Sequence, residues 1–464
     1  MTASERFDAI VIGAGQGGVP LARAFAEAGR KTLLIEATHV GGTCINEGCT
    51  PTKTMVASAR VAYLARRGAD YGVRTGPISI DMVRVRQRKR DIVNSFRGGS
   101  EQRLRATPNL TLLFAAARFT APRTLEARSP DGAVRTLSAE CIVINTGGRP
   151  AVPPIDGLDQ LPWLDSTSIM ELDVVPEHLL VVGGGYIGLE FGQMMRRFGS
   201  RVTVTQRADA LLPREDGDIC GAVAEIMRQD GLELRLGANV TRLERAPSGA
   251  IRATLSSGAA PLEVSHVLCA AGRVPNSDRL DCAAAGIELD GGGFIVVNER
   301  LETAAAGVFA IGDVKGGAAF THIAYDDFRI LRTNLLQGGN ATTRARLVPY
   351  TLFTDPQLGR IGLTEREARA SGGEVDVYAM PMSSVARALE LAESRGLMKA
   401  VVDRPSGAIL GAAVLGIEGG ELMAVFQMAM MGGVTIDRLR DAVFAHPTLA
   451  EALNNLFSMP PRRA

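Results

Sequence analysis

Cys44 and Cys49 stand five positions apart in the run Gly41-Gly42-Thr43-Cys44-Ile45-Asn46-Glu47-Gly48-Cys49-Thr50-Pro51-Thr52-Lys53, and two thiols so placed could cycle between a dithiol and a disulfide. Five residues of ideal helix rise ~7.5 Å, past the ~7 Å at which two Cα atoms can still be bridged. Closure therefore needs a distorted turn, which Gly48 and Pro51 permit, and the bond formed is strained and easily reduced. A helix N-terminus and the Lys53 ammonium would lower thiol pKa values here. The competing reading is two thiols with no redox role. The other four cysteines, Cys141, Cys220, Cys269 and Cys282, lie in apolar or helix-like settings and read as core residues.

The elements that position this run begin just upstream. Phe7 to Gly13 reads as a buried strand, Val19 to Ala28 as a helix ended by Gly29, and Lys31 to Glu36 as a second strand. Gly13, Gly15 and Gly18 form GxGxxG between the first strand and the helix, where pyrophosphate can approach a helix N-terminus. Glu36 follows Gly13 by 23 residues (36 − 13), at the strand end where a carboxylate accepts both ribose hydroxyls.

The same order recurs. His178 to Gly183 is a strand, Ile187 to Phe198 a helix ended by Gly199, and Arg201 to Gln206 a strand, with Gly183, Gly185 and Gly188 in the turn. The position matching Glu36 is Gln206, followed by Arg207. A neutral amide beside a cation favours the 2′-phosphate of NADPH over NADH; the alternative is an Arg207 that simply points to solvent. Each half closes on a similar strand and turn, CIVINTGGRP at 141–150 and VLCAAGRVP at 267–275. Ala151 to Pro162 reads as an exposed linker. Gly307 to Val314 reads as one more strand, followed by a helix to about Leu336, and GGNATTRAR near 338–346 marks a second boundary. The Met-rich helix Glu421 to Met431 reads as soft core or subunit interface.

Composition narrows the partners. In 464 residues, 51 Lys and Arg against 50 Asp and Glu leave a formal charge of +1, so no net field draws nucleic acid or anionic lipid. The basic run Arg84 to Arg90 has no interleaved aromatics and reads as a solvated helix face. No apolar run reaches the ~18 residues of a membrane span, no cleavable signal is evident, and a cytoplasmic protein is expected. Six cysteines are too sparse for a disulfide scaffold.

The GGTCINEGCTPTK motif, the two glycine fingerprints and the terminal His446-Pro447-Thr448-Leu449-Ala450-Glu451 together resemble the class I pyridine nucleotide-disulfide oxidoreductases, the family of glutathione reductase, lipoamide dehydrogenase and mercuric reductase, along essentially the whole chain. The resemblance implies an α/β fold with two Rossmann-like dinucleotide-binding domains and a C-terminal α+β dimerisation domain. Residues 1–150 and 281–345 would bind FAD, 151–280 NAD(P)H, and 346–464 would form a homodimer. FAD is expected on Gly13, Gly15, Gly18, Glu36 and Asp313, and NADPH, with NADH as the other donor, on Gly183, Gly185, Gly188, Gln206 and Arg207. Gly42, Thr43, Thr146, Gly147 and Gly272 are also expected at the cofactors. Lys53 and Glu190 resemble the family's ion pair beside the flavin, and Tyr186 its gating aromatic over the nicotinamide pocket, though packing alone would equally explain that Tyr. His322 reads as a structural contact near FAD. Cys49 would face the flavin and Cys44 the substrate. His446, oriented by Glu451 and contributed by the other subunit, would exchange the proton.

Phe320 to Ile330, Arg387 to Val402 and Thr354-Asp355-Pro356-Gln357 look most similar to the mercuric-reductase-like and reactive-chlorine-resistance branch. The implied activity passes hydride from NADPH through flavin to the Cys44/Cys49 pair and on to a small-molecule oxidant: an electrophilic sulfur, reactive-chlorine-derived or metal substrate. Mercuric reductase, lipoamide dehydrogenase and a flavin-bound redox sensor with little turnover are the alternatives. The end Phe457 to Ala464 lacks the paired cysteines of mercuric reductases, no N-terminal metal-binding module is expected, and Glu47 stands where the family usually has an apolar residue. No metal site is expected.

Overall fold

The computed structural model describes residues 4–463, in two compact units. The first gathers the described residues through Thr54, Arg84–Ala151 and Gly272–Arg346; the second gathers Met55–Val83, Val152–Ala271 and Leu347 onward.

In the first unit, strands β1 (Glu5–Ile12), β2 (Thr32–Glu36), β3 (Leu110–Phe114), β4 (Ala116–Ala121), β5 (Thr124–Arg128) and β6 (Val134–Ile144) lie in the order β3-β2-β1-β6-β5-β4, and Val308–Ala310 pairs in parallel with β6. β1, β2, β3 and β6 are parallel neighbours. Parallel strands covered on both faces read as continuous apolar runs, and β1 divides its side chains accordingly. Ile10 and Ile12 join Leu33, Ile35, Ile142 and Ile144 on one face. Ala9 and Val11 face Leu21, Phe25, Phe328 and Leu331 on the other, each fully buried large side chain contributing roughly 1.5–3 kcal/mol. Helix α1 (Gly18–Glu27) buries Leu21, Ala22, Phe25 and Ala26 along one stripe. After β2 come α2 (Gly42–Asn46) and α3 (Cys49–Arg66), then α4 (Met82–Arg105). The short β7 (Gly148–Pro150) pairs antiparallel with Arg273–Pro275, so the two closing turns read from the sequence meet each other.

The second unit repeats the pattern. β8 (His178–Val182), α5 (Tyr186–Phe198), β9 (Arg201–Gln206), α6 (Gly217–Gln229) and β10 (Glu233–Leu236) build a parallel sheet in the order β10-β9-β8, closed by His266–Cys269. Its C-terminal part is a five-stranded antiparallel sheet running Tyr350–Leu352, Gln357–Gly362, Ile409–Gly416, Leu397–Asp403, Val375–Pro381. The helix Gly419–Met431 packs Met423 and Phe426 into that core and leaves Met428 and Met431 exposed, which matches soft core with an outward Met face.

Three local expectations need correction. The stretch 151–162 is not simply an exposed linker: Leu158 is buried, and Ile155 and Leu161 pack with it against the core around Leu243 and Val267, because a parallel bridge from Asp156 to Arg242 draws the segment onto the sheet. The basic run is only partly solvated: Lys89 is buried and Arg88 donates to the Thr54 carbonyl at 2.7 Å. The strand expected over 307–314 is limited to Val308–Ala310 and gives way to a 3₁₀ turn at Gly312–Lys315. Among the described residues no helix is long and apolar enough to cross a membrane.

Candidate active site

Backbone geometry dictates the first cradle. Gly13 has φ +103°, and a Cβ there would sit 2.3 Å from the Asn145 carbonyl oxygen; a Cβ on Gly18 would sit 2.2 Å from the Gly13 oxygen. Only glycine lets β1 turn this tightly into α1. The N–H of Ala14 then donates to Glu36 Oε2 at 2.8 Å, and Thr38 N–H to Oε1 at 2.9 Å, which fixes the buried carboxylate at the end of β2. Asn145 Nδ2 donates to the Gly13 carbonyl at 3.1 Å. The Thr146 hydroxyl is buried without a hydrogen-bond partner among the described residues, and Gly147 (φ +67°) and Gly272 (φ +128°) would each meet open space if given a Cβ. Asp313 lies in the 3₁₀ turn, where burial pushes its carboxyl up against the opposing pull of Arg273 and Lys315. An open glycine-rich lip, a helix N-terminus, an orphaned buried hydroxyl and a fixed carboxylate fit a bound dinucleotide.

The second cradle uses the same device. Gly183 has φ +115° with the Ala270 oxygen 2.5 Å from its Cβ position, and a Cβ on Gly188 would meet the Gly183 oxygen at 1.9 Å. The N–H of Gly184 donates to Gln206 Oε1 at 3.1 Å, so the amide occupies the structural place that Glu36 fills in the first unit. Arg207 follows it, exposed. Gly185 opens onto free space. Tyr186 begins α5, its ring 5.4 Å from that of Tyr350, and Glu190 is buried one turn on, accepting the Phe353 N–H at 2.9 Å.

The two thiols flank a helix break. α2 ends at Glu47, whose φ of −140° leaves the helix, and a Cβ on Gly48 would press to 3.0 Å from the Thr43 oxygen. α3 then restarts at Cys49, with Pro51 in its first turn, where no amide hydrogen is needed. The distorted turn required by the spacing is therefore present. A Cβ on Gly42 would lie 2.8 Å from the Gly15 Cα, so this hairpin rests directly on the first cradle. Arg97 of α4 donates to Asn46 Oδ1 at 2.7 Å, while Asn46 Nδ2 donates to the Val40 and Gly42 carbonyls, pinning α2 from below.

Cys44 and Cys49 are in the dithiol form. The Cys44 thiol is pushed well up, first by its hydrogen bond with Cys49, then by burial and by the Cys49 charge; Thr321 and Lys53 pull the other way. Cys49 stands at the N-terminus of α3, where the helix dipole favours negative charge. Cys49 Sγ lies 3.3 Å from Thr321 Oγ1 at the start of the helix Thr321–Leu336. As residues, Cys49 is exposed and Cys44 half-buried. His322 is exposed and stacks on Phe320, ring centroids 5.3 Å apart.

In the second unit, His446 Nδ1 lies 2.9 and 3.0 Å from the Glu451 carboxylate oxygens, and the ring is 69% exposed. Glu451 thus engages Nδ1 and holds the ring's orientation, and Nε2 is the nitrogen it leaves unengaged. The remaining cysteines behave as core: burial pushes Cys141 and Cys269 each up to about 12.

Sequence reasoning missed Thr321, Asn145, Arg97 and the Tyr350 contact. All four act across long separations in sequence, so no local spacing could have pointed to them.

Residues 7–327 match the family model described as pyridine nucleotide-disulphide oxidoreductase, and residues 348–457 the model of that family's dimerisation domain. The probable pyridine nucleotide-disulfide oxidoreductase RclA of Escherichia coli K12 is 38% identical over 458 residues, covering 98% of this chain and 99% of its own. A mercuric reductase of Lysinibacillus sphaericus is 32% identical, covering 97% and 82% respectively. The solved Cu(II) complex of the HOCl-induced flavoprotein disulfide reductase RclA from E. coli superposes with a TM-score of 0.90 at 38% identity, over 98% of this chain and 99% of that one.

Proposed function

This chain belongs to the pyridine nucleotide-disulphide oxidoreductases, and on that premise we propose that it is a flavoprotein reductase that draws electrons from NADPH and spends them, through Cys44 and Cys49, on a small electrophilic oxidant. FAD, when bound, supplies two-electron chemistry between a nicotinamide and a disulfide. The residues that would hold it are Gly13, Gly15, Gly18, Glu36, Gly42, Thr43, Thr146, Gly147, Gly272 and Asp313, with Lys53 and Glu190 beside the ring. Gly183, Gly185, Gly188, Gln206 and Arg207 would hold the pyridine nucleotide, with Tyr186 covering the nicotinamide position. Because the Gln206 oxygen is engaged by Gly184, its amide hydrogens are what remains for the ribose, with no carboxylate to repel a 2′-phosphate.

The dithiol's own chemistry follows from its protonation. The Cys44 thiol, pushed up by its Cys49 neighbour and by burial, needs a base before it can attack, and His446 Nε2 is the candidate, supplied by the second subunit of a homodimer. The Cys44 thiolate attacks the electrophilic sulfur or chlorine of the oxidant, and the bond from that atom to its leaving group breaks; the leaving hydroxide or thiolate takes the proton from His446. Cys49, as thiolate, then attacks the Cys44 sulfur, forming the Cys44–Cys49 disulfide and breaking the bond to the oxidant's atom, which leaves as the reduced anion. Two electrons leave the thiols and two are gained by the oxidant. Electrophilic sulfur and reactive-chlorine-derived species suit this attack, and the HOCl-induced relative supports them; a thiophilic metal ion, which that relative's Cu(II) complex brings into consideration, would instead ligate the thiolates.

The observation that carries this reading is the placing of Cys44 and Cys49 on either side of a helix break that rests on the first glycine cradle. The test is Cys44→Ser in the FAD-loaded enzyme. NADPH should still bleach the flavin, while turnover of a panel of hypothiocyanous acid, Cu(II), Hg(II), glutathione disulfide and lipoamide is lost. Retained turnover with the true oxidant would remove the dithiol from the route.

A further inference from the structure

Tyr186 does not close on an ordinary neighbour. Its ring meets Tyr350 with centroids 5.4 Å apart and planes inclined by 49°, a tilted contact within the range at which aromatic rings attract. Tyr350 opens the edge strand of the C-terminal sheet, in register with Arg360 on the next strand. Its hydroxyl donates to Glu215 Oε1. The other carboxylate oxygen, Oε2, accepts Arg360 Nε at 3.1 Å, and Arg360 Nη1 donates to the carbonyls of Ile361 at 2.6 Å and Ala412 at 3.2 Å. Glu215 and Arg360 are only 5% exposed. Glu215 ends the loop that leaves β9, held by its N–H to the Leu212 carbonyl at 2.9 Å.

An ion pair buried this deeply contributes little net stability, since desolvation offsets most of the attraction. What it does supply is a fixed position. The phenol, the carboxylate and the guanidinium form a chain whose far end is two backbone carbonyls of a central sheet, and whose near end is the ring against which Tyr186 leans. Neither Glu215, Arg360 nor Tyr350 belongs to a glycine cradle or to the dithiol, so nothing in the chemistry explains why a buried charge pair should end in a phenol at that place.

We propose that Tyr350, tethered through its hydroxyl to the buried Glu215–Arg360 pair, is a positioning residue for the pyridine nucleotide: the post that holds the Tyr186 ring closed over the nicotinamide site and sets how readily the nucleotide enters. This rests on the reading of Tyr186 as the cover of that site. Entry requires Tyr186 to leave the post. Apparent affinity is the intrinsic affinity multiplied by the fraction of molecules already open, so loosening the post tightens nucleotide binding.

The experiment measures NADP⁺ binding to the FAD-loaded protein by titration calorimetry, alongside NADPH-driven flavin reduction, in Tyr350→Phe, Glu215→Gln and Tyr186→Ala. Tyr350→Phe keeps the ring and cuts the tether; it should lower the Kd for NADP⁺ and the KM for NADPH by about threefold, the effect of a threefold larger open fraction, with a smaller change in the limiting reduction rate. Glu215→Gln keeps an acceptor for the phenol and should fall between Tyr350→Phe and the parent. A Kd unchanged or raised in Tyr350→Phe, with Tyr186→Ala lowering it, overturns the post while leaving Tyr186 as the cover. An unchanged Kd in Tyr186→Ala overturns the reading of Tyr186 itself. Should Glu215→Gln lose FAD or melt early, the pair is structural, and Tyr350→Phe alone decides the proposal.

Discussion

The Cys49 sulfur lies 3.3 Å from the Thr321 hydroxyl, across 272 residues of chain. The hydroxyl heads the helix Thr321–Leu336, so the Cys49 thiol meets one helix N-terminus through its own backbone and a second element through Thr321. Once Cys49 is a thiolate the hydroxyl can only donate to it, and a hydrogen bond to a charged acceptor is worth about 1.5–3 kcal/mol.

Thr321→Val keeps the shape and removes that donor. The apparent pKa for forming the dithiol's thiolate should rise by about one unit, which corresponds to 1.36 kcal/mol. The check is a pH titration of the long-wavelength absorbance that a thiolate gives against oxidised flavin; coincident titrations in parent and variant would show that Thr321 only fills space.

Gln206 and Glu36 do the same structural work, each accepting the N–H that follows the first glycine of its cradle, at 3.1 and 2.8 Å. Gln206→Glu should therefore fold normally while placing a carboxylate against a 2′-phosphate. The ratio of kcat/KM for NADPH over NADH should fall at least tenfold, about 1.4 kcal/mol. A ratio that does not move would assign nucleotide choice to residues other than Gln206.

What could be read in the sequence is what backbone sterics force. Gly13, Gly18, Gly183 and Gly188 stand where a Cβ would enter a carbonyl oxygen, and no other residue can hold those places, so the motif and the fold it implies are written locally. The Cys44–Cys49 spacing likewise demanded a broken helix, and Glu47–Gly48 supplies it. The partners of these residues were not legible. Arg97 reaches Asn46 across 51 positions and Tyr350 reaches Glu215 across 135, and such pairs exist only once the sheets have set their order. Leu158 was misread for a related reason: Pro and Gly around it signal a loop, but whether a loop's apolar residue finds a core depends on what strand lies below.

The contact between Gly42 and Gly15 joins the dithiol hairpin to the first cradle. Gly42 has φ +60°, and a Cβ there would lie 2.8 Å from the Gly15 Cα, a backbone atom with no freedom to swing aside. Gly42→Ala should strain the turn by about 1–3 kcal/mol and push the cradle open. We expect purified protein with a lower flavin-to-protein absorbance ratio than the parent, regained in part by added FAD. Full flavin content at an unchanged melting temperature would mean that the hairpin can shift without disturbing the cradle.

Asp355 tests how the second unit depends on acid. Burial alone would push its carboxyl up, but Arg197 and then Arg60 overrule it and hold it below the usual carboxylate range; both guanidiniums donate to Asp355 Oδ2. A carboxyl whose pKa is lower folded than unfolded adds stability that is fully present above the unfolded value of about 3.9 and is lost as pH falls through the folded one. Asp355→Asn removes the charge and leaves Arg197, 6% exposed, facing a neutral amide, so the variant should lose about 3–5 kcal/mol near neutral pH. Because the variant has no carboxylate there to protonate, its deficit should shrink as pH drops below about 4. Denaturant unfolding at neutral and acid pH measures both terms. A deficit that stays constant across that range would show that packing around Asp355, rather than its charge, holds this part of the unit together.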